Sequence, residues 1–123
     1  MSAQTTQIAQ TALADRIIIV TGAASGIGKG IATRLAADGA TVIVADLDAQ
    51  KSEETAAALG NGSIGIATDV TDRAAVDAMT AEVIDRFGRI DTLVNNAGWD
   101  KVEPFMESTA DTWDRVIAIN LIG

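Results

Sequence analysis

The chain of 123 residues has no cysteine and no histidine. The first absence excludes disulfides and thiolate chemistry. The second excludes imidazole catalysis and removes the commonest metal ligand, so no metal site is expected. Aromatic residues make up only 3%, namely Phe87, Trp99, Phe105 and Trp113. With 48% hydrophobic residues, the core must therefore be built from Ala, Ile, Val and Leu. Basic residues are few: 9 Lys and Arg stand against 17 Asp and Glu, for a net charge of −8. Without a basic cluster, nucleic acid and anionic membranes are poor partners. No apolar run approaches the roughly 20 residues of a membrane span. Residues 1–14 lack a basic start and a long apolar core, so they do not read as a signal peptide. They read as a flexible tail. A soluble, cytoplasmic chain of one domain is expected.

What is present is organised around one stretch. Residues 17–20, Ile-Ile-Ile-Val, form a β-branched run that reads as a strand buried on both faces. It passes into Thr21-Gly22-Ala23-Ala24-Ser25-Gly26-Ile27-Gly28. Ile27, Ile31 and Leu35, with Ala32 and Ala36 beside them, then give the apolar stripe of a helix over about residues 26–38. A strand, a glycine turn and a helix form the arrangement in which backbone N–H groups and a helix N-terminus face a pyrophosphate. Gly22 allows the tight turn, Gly26 lets the backbone approach phosphates, and Gly28 lets helix and strand pack closely. At these residues the chain resembles the short-chain dehydrogenase/reductase family, whose fingerprint is Thr-Gly-x-x-x-Gly-x-Gly.

Further segments follow in order. Residues 41–45 read as a second strand, and Asp46 follows it 18 positions after Gly28. An acidic residue at about that distance accepts hydrogen bonds from the adenosine ribose. Its charge would repel a 2′-phosphate, and no basic residue stands near before Lys51, so NAD is preferred to NADP. Asp46 or Asp48 also suits the start of the next helix, residues 49–59. Gly60-Asn61-Gly62 is a turn. Residues 63–68 read as a third strand broken by Gly65. Asp69 and Val70 follow it, and Thr71-Asp72 opens a helix carrying Val76, Met79, Val83 and Ile84. A fourth strand, residues 90–94, leads straight into Asn95-Asn96-Ala97-Gly98. Strand and helix alternate throughout, which implies an α/β chain with right-handed crossovers and helices on both faces.

The resemblance carries further expectations. It implies a Rossmann-type three-layer αβα fold over residues 15–123, with a parallel sheet of order 3-2-1-4. It implies that Asp69 and Val70 hold the adenine ring, and that Asn96, Ala97 and Gly98 pack against the cofactor. Together with Gly22, Ser25, Gly26, Ile27, Gly28 and Asp46, these form the expected NAD site. Asn120, in Asn120-Leu121-Ile122-Gly123, corresponds to a residue that holds a water of the family's proton relay. Trp99 either lines a substrate pocket or packs on the next helix. Trp99-Asp100 looks like that of family members acting on alicyclic hydroxyacyl-CoA substrates.

One departure from the family pattern is plain. In the family, a catalytic Ser follows a fifth strand, and a Tyr-x-x-x-Lys helix comes next. The chain contains no tyrosine, and Ser25, Ser63 and Ser108 stand in other segments. The resemblance thus covers the nucleotide-binding half, truncated after the fourth strand and its following helix. Three readings are open: the cofactor half of an oxidoreductase acting on a secondary alcohol or ketone; a dinucleotide-binding fragment without activity; and a structural module. The fourth strand would be an uncovered edge, so a homo-oligomer is expected.

Overall fold

The computed structural model describes residues 12–98, 109–111 and 114. Within them seven elements alternate: β1 (Ile17–Thr21), α1 (Gly26–Ala37), β2 (Thr41–Asp46), α2 (Ala49–Leu59), β3 (Ile64–Ala67), α3 (Arg73–Phe87) and β4 (Thr92–Val94). The four strands form one parallel sheet in the order β3-β2-β1-β4. Ile19 stands between Ile43 of β2 and Leu93 of β4. Among the described residues no helix is long and apolar enough to cross a membrane.

The side-chain alternation of β1 sorts the interior into two layers. Ile18 and Val20 pack with Val42, Val44, Ala32, Ala36 and Ala56, on the face covered by α1 and α2. Ile17 and Ile19 pack with Ile43, Met79 and Val83, on the face covered by α3. Every residue of β1 is buried, as its unbroken apolar run requires. The chain is already anchored before β1. Leu13 packs against the first layer, and its N–H donates to the Asp38 carbonyl at 2.9 Å.

Three readings of the sequence are corrected. The buried line of α1 is Gly28, Ala32 and Ala36, with Ile31 and Leu35 beside it, while Ile27 is 79% exposed. The cause is Gly28: a Cβ there would lie 2.2 Å from the Gly22 carbonyl oxygen. The helix approaches at its glycine, which turns the neighbouring Ile27 outward.

Gly65 does not break β3. It pairs in register with Val44, and a Cβ on it would lie 2.4 Å from the Ser52 backbone. The residue is small because α2 presses on the strand.

The fourth strand begins at Thr92, not at residue 90. A side chain replaces the ladder at its start. Ile17 N–H donates to Asp91 Oδ2 at 2.8 Å, while Asp91 N–H donates to the Ile17 carbonyl at 2.9 Å. Arg89 and Arg16 lie on the same carboxylate, at 2.9 and 3.8 Å.

Candidate functional site

All four parallel strands end on the same side of the molecule, and the segments that leave β1, β2, β3 and β4 surround a cleft of about 400 Å³. In open α/β sheets this is where ligands bind, at the point where the strand order reverses. The reversal lies here between β1 and β4, because β2 stands on the other side of β1.

The β1–α1 turn forms the floor. Gly22 has φ +66°, a left-handed conformation natural to glycine, and its N–H donates to the Ala45 carbonyl at 2.8 Å. Gly26 likewise has φ +56°, and the space beside it is open, since a Cβ there would meet no atom within 4 Å. Ser25 is extended and gives no side-chain hydrogen bond to the first turn of α1. The helices α2 and α3 differ, because Asp48 and Asp72 cap them. A helix leaves its first N–H groups without internal partners. At α1 no cap and no acidic residue of the first turn answers them. They carry the positive end of the helix dipole and suit an anion.

Thr21 fixes the opposite wall. Its Oγ1 accepts from the N–H groups of Asn96 and Ala97, each at 3.0 Å. Its own O–H donates to the Val94 carbonyl at 3.4 Å. Asn96 Nδ2 donates to the Gly22 carbonyl at 3.3 Å. These bonds tie the segment after β4 to the glycine turn.

Two carboxylates stand at the ends of β2 and β3. Asp46 is half-buried; its Oδ2 accepts from Ala24 N–H at 3.2 Å and its Oδ1 from Asp48 N–H at 3.3 Å. Asp69 accepts through Oδ1 from the Thr71 hydroxyl at 2.6 Å and the Thr71 N–H at 2.9 Å. That hydroxyl, and then that amide, hold the Asp69 carboxyl below the usual carboxylate range. Asp69 is therefore an anion, able to accept and not to donate.

The cleft gathers most of the residues singled out in the sequence. Gly22, Ser25 and Ile27 line it from the first turn, Asp46, Asp69 and Val70 from the ends of β2 and β3, and Asn96, Ala97 and Gly98 from beyond β4. Gly26 borders a neighbouring cavity instead, and Gly28 lies behind the turn, against Gly22 and Asn96. Asn120, Trp99 and Trp113 lie outside the described residues. Leu47 and Thr68 also line the cleft without having been singled out. Leu47 is 60% exposed and, with Ile27, gives the rim an apolar surface. The position of Leu47 directly after Asp46 at a strand end is the signal for it. In the sequence Thr21 is only part of the fingerprint, and its clasp on Asn96 and Ala97 has no counterpart in local spacing.

This arrangement fits a dinucleotide on three counts. A helix start with unanswered N–H groups suits a pyrophosphate, a carboxylate at the end of β2 suits ribose hydroxyls, and apolar residues suit flat rings.

Comparison with known proteins agrees with the geometry. A family model described as short chain dehydrogenase matches residues 16–123. Sorbitol dehydrogenase from Cereibacter sphaeroides is 43% identical over 105 residues, covering 85% of this chain and 41% of that protein. Galactitol 2-dehydrogenase from Agrobacterium fabrum is 43% identical, with 90% of this chain and 43% of that protein covered. The crystal structure of 3-ketoacyl-(acyl-carrier-protein) reductase from Brucella melitensis complexed with NADH superposes with a TM-score of 0.82 at 32% identity. It covers 89% of this chain and 46% of that one. The chain thus spans less than half the length of these relatives. By its fold, its glycine turn and the extent of the family match, the chain belongs to the short chain dehydrogenase family.

Proposed function

We propose that the chain is the cofactor-binding half of an NAD-dependent oxidoreductase acting on a secondary alcohol or ketone. The observation that carries this reading is the uncapped start of α1, which opens beside a cleft bordered by Asp46, Asp69 and Val70. When bound, the nicotinamide supplies hydride transfer. The chain's own residues bind and orient. The first turn of α1 would hold the pyrophosphate, Asp46 the adenosine ribose, Asp69 and Val70 the adenine, and Asn96, Ala97 and Gly98 the nicotinamide side. NAD is preferred because the Asp46 carboxylate would repel a ribose phosphate. In a completed active site Asn120 would hold a water of the proton relay. The alcohol or ketone substrate includes an acyl-CoA as one candidate, and one relative at 42% identity, from Thauera aromatica, is named (2S)-[(R)-hydroxy(phenyl)methyl]succinyl-CoA dehydrogenase subunit BbsD. A cytoplasmic setting and a homo-oligomeric assembly belong to the same reading.

The test is calorimetric titration of the purified chain with NAD and NADP, repeated on Asp46→Ala. NAD should bind more tightly than NADP, and the substitution should move that preference toward NADP by about tenfold. That is the loss expected for one charge-assisted hydrogen bond of about 1.5 kcal/mol. A chain that binds neither nucleotide would overturn the reading.

A second reading, binding without turnover, is favoured by one observation: the chain has no tyrosine, histidine or cysteine. General acid–base catalysis contributes about 10²–10⁴-fold, and no side chain here corresponds to the family's phenol. Alcohol-dependent NADH formation by these 123 residues alone would contradict this second reading.

A further inference from the structure

The turn Gly60-Asn61-Gly62 takes no part in the cleft, yet it holds the one Asn-Gly pair of the chain. Asn61 is exposed and has φ +55°, a left-handed conformation, and Gly62 follows at φ +74°. The space beside Gly62 is open, since a Cβ there would meet no atom within 4 Å. Its N–H has no hydrogen-bond partner among the described residues. The Asn61 side chain, by contrast, is engaged. Its Nδ2 donates to the Ala36 carbonyl at 2.7 Å, in the last turn of α1, and to the Ala40 carbonyl at 3.3 Å, just before β2. The Thr41 hydroxyl donates to the Asn61 main-chain carbonyl at 2.7 Å. One asparagine thus clasps the α2–β3 turn to the α1–β2 connection, at the end of the sheet opposite the cleft.

Asparagine before glycine carries a reaction of its own. The Gly62 nitrogen attacks Asn61 Cγ and closes a succinimide ring. The carboxamide nitrogen leaves as ammonia, taking up the proton that the Gly62 nitrogen loses. Water then opens the ring at Cγ to give aspartate, or at the main-chain carbonyl to give isoaspartate. Glycine has no side chain to hinder the attack. The clasp opposes it, because both hydrogen bonds aim the carboxamide at Ala36 and Ala40 and hold the leaving nitrogen. Cγ must first swing away from them. The product cannot remake the clasp. A carboxylate accepts and does not donate, and it would face two carbonyl oxygens at the negative end of the α1 dipole. Isoaspartate also lengthens the main chain by a methylene within the turn.

We propose that Asn61 is a spontaneous deamidation site gated by its own clasp, and that its conversion turns an attractive contact into a repulsive one and destabilises the fold. The reactants are this turn and water. The folded chain protects the residue, and each opening of the turn exposes it to a step that is not reversed. The site therefore acts as a clock of the time that the α2–β3 turn has spent open.

The test ages the purified full chain in mildly alkaline buffer, folded and in urea, and follows the tryptic peptide of residues 52–73 by mass spectrometry. Asn61 is the only amide side chain in that peptide, so a mass gain there reports this residue, and chromatography separates aspartate from isoaspartate. In urea Asn61 should convert well before Asn95 and Asn96, which precede residues with a side chain. In the folded chain its reaction should slow by about tenfold or more, since two hydrogen bonds must open first. Thr41→Val keeps a β-branched residue in the strand and removes the hydroxyl bond to the turn. It should speed the folded reaction about threefold and leave the rate in urea unchanged. Asp72→Ala, at the start of α3, lowers stability away from the turn and should leave the folded rate within about twofold. Asn61→Asp should lower the urea midpoint below that of Asn61→Gly, which removes the clasp without adding charge and suits the positive φ. Conversion in urea no faster at Asn61 than at Asn95 and Asn96, or equal folded and unfolded rates, overturns the proposal. Equal acceleration by Thr41→Val and Asp72→Ala would place the gate at global unfolding and overturn the clasp. An Asn61→Asp chain as stable as the unaltered one overturns the destabilising consequence.

Discussion

At Gly28 a hydrogen atom is all the space allows. A methyl group there would lie 2.2 Å from the Gly22 carbonyl oxygen and 2.4 Å from Asn96 Nδ2. Gly28→Ala should therefore push α1 off the turn and destabilise the fold by about 1–3 kcal/mol, the usual range for overpacking. Urea denaturation would measure it, and unchanged stability would contradict the close approach. Asp91 makes a second prediction at this scale. The Ile17 N–H, with Arg89 and Arg16 beside it, holds its carboxyl below the usual carboxylate range. Its folded pKa is depressed, so the stabilisation is fully present above the unfolded value of about 4. It is lost as pH falls through the folded value. Asp91→Asn should thus flatten the dependence of the urea midpoint on pH below about pH 4 and leave the shape of the profile above it unchanged. Which residues matter at this scale is only partly legible in the sequence. Asp46 and Asp69 announce themselves as acids directly after apolar runs. Leu47 gives a weaker signal through its place directly after Asp46, and Thr21 gives none, because its clasp on Asn96 and Ala97 depends on a segment dozens of residues away.

The three described helices share an architecture and differ at their starts. Asp48 Oδ1 accepts from Lys51 N–H at 2.9 Å, and Asp72 Oδ1 accepts from Ala74 N–H at 3.0 Å. Ser25 makes no corresponding bond. Asp48→Ala and Asp72→Ala should each cost about 1 kcal/mol of stability. Ser25→Ala should cost only a few tenths, since no cap is lost. Thermal or denaturant unfolding of the three variants would show the contrast, and an equal loss at Ser25 would remove it. Elements are the level best read from the sequence. The bounds of α2, residues 49–59, are those expected, and the strand order 3-2-1-4 is found. Periodicity fails where packing distance decides. It reports which residues are apolar, not which face comes closest, so it places Ile27 in the buried stripe that Gly28 occupies. Gly65 reads as a break for the same reason: the pattern along β3 contains no sign of α2 lying against it.

For the whole molecule, the sheet is asymmetric. β4 has a neighbour on one side only among the described residues, and Leu93 is 52% exposed on it. An exposed strand edge with apolar side chains pairs with other chains. The chain is expected to self-associate through this edge, and Leu93→Lys should weaken the contact. Sedimentation velocity at micromolar concentration would show it, and a monomer unchanged on dilution would count against it. The central position of β1 has another consequence, expressed in time. Every residue of β1 is buried, and Ile18, Ile19 and Val20 lie between two paired strands, whereas β3 and β4 are the outer strands among the described residues. Outer strands can detach in local openings, but β1 is freed only when the sheet comes apart. In deuterated buffer, the backbone protons of Ile18, Ile19 and Val20 should be the last to exchange, at the rate of global unfolding, and those of Ile66 and Leu93 should be gone well before them.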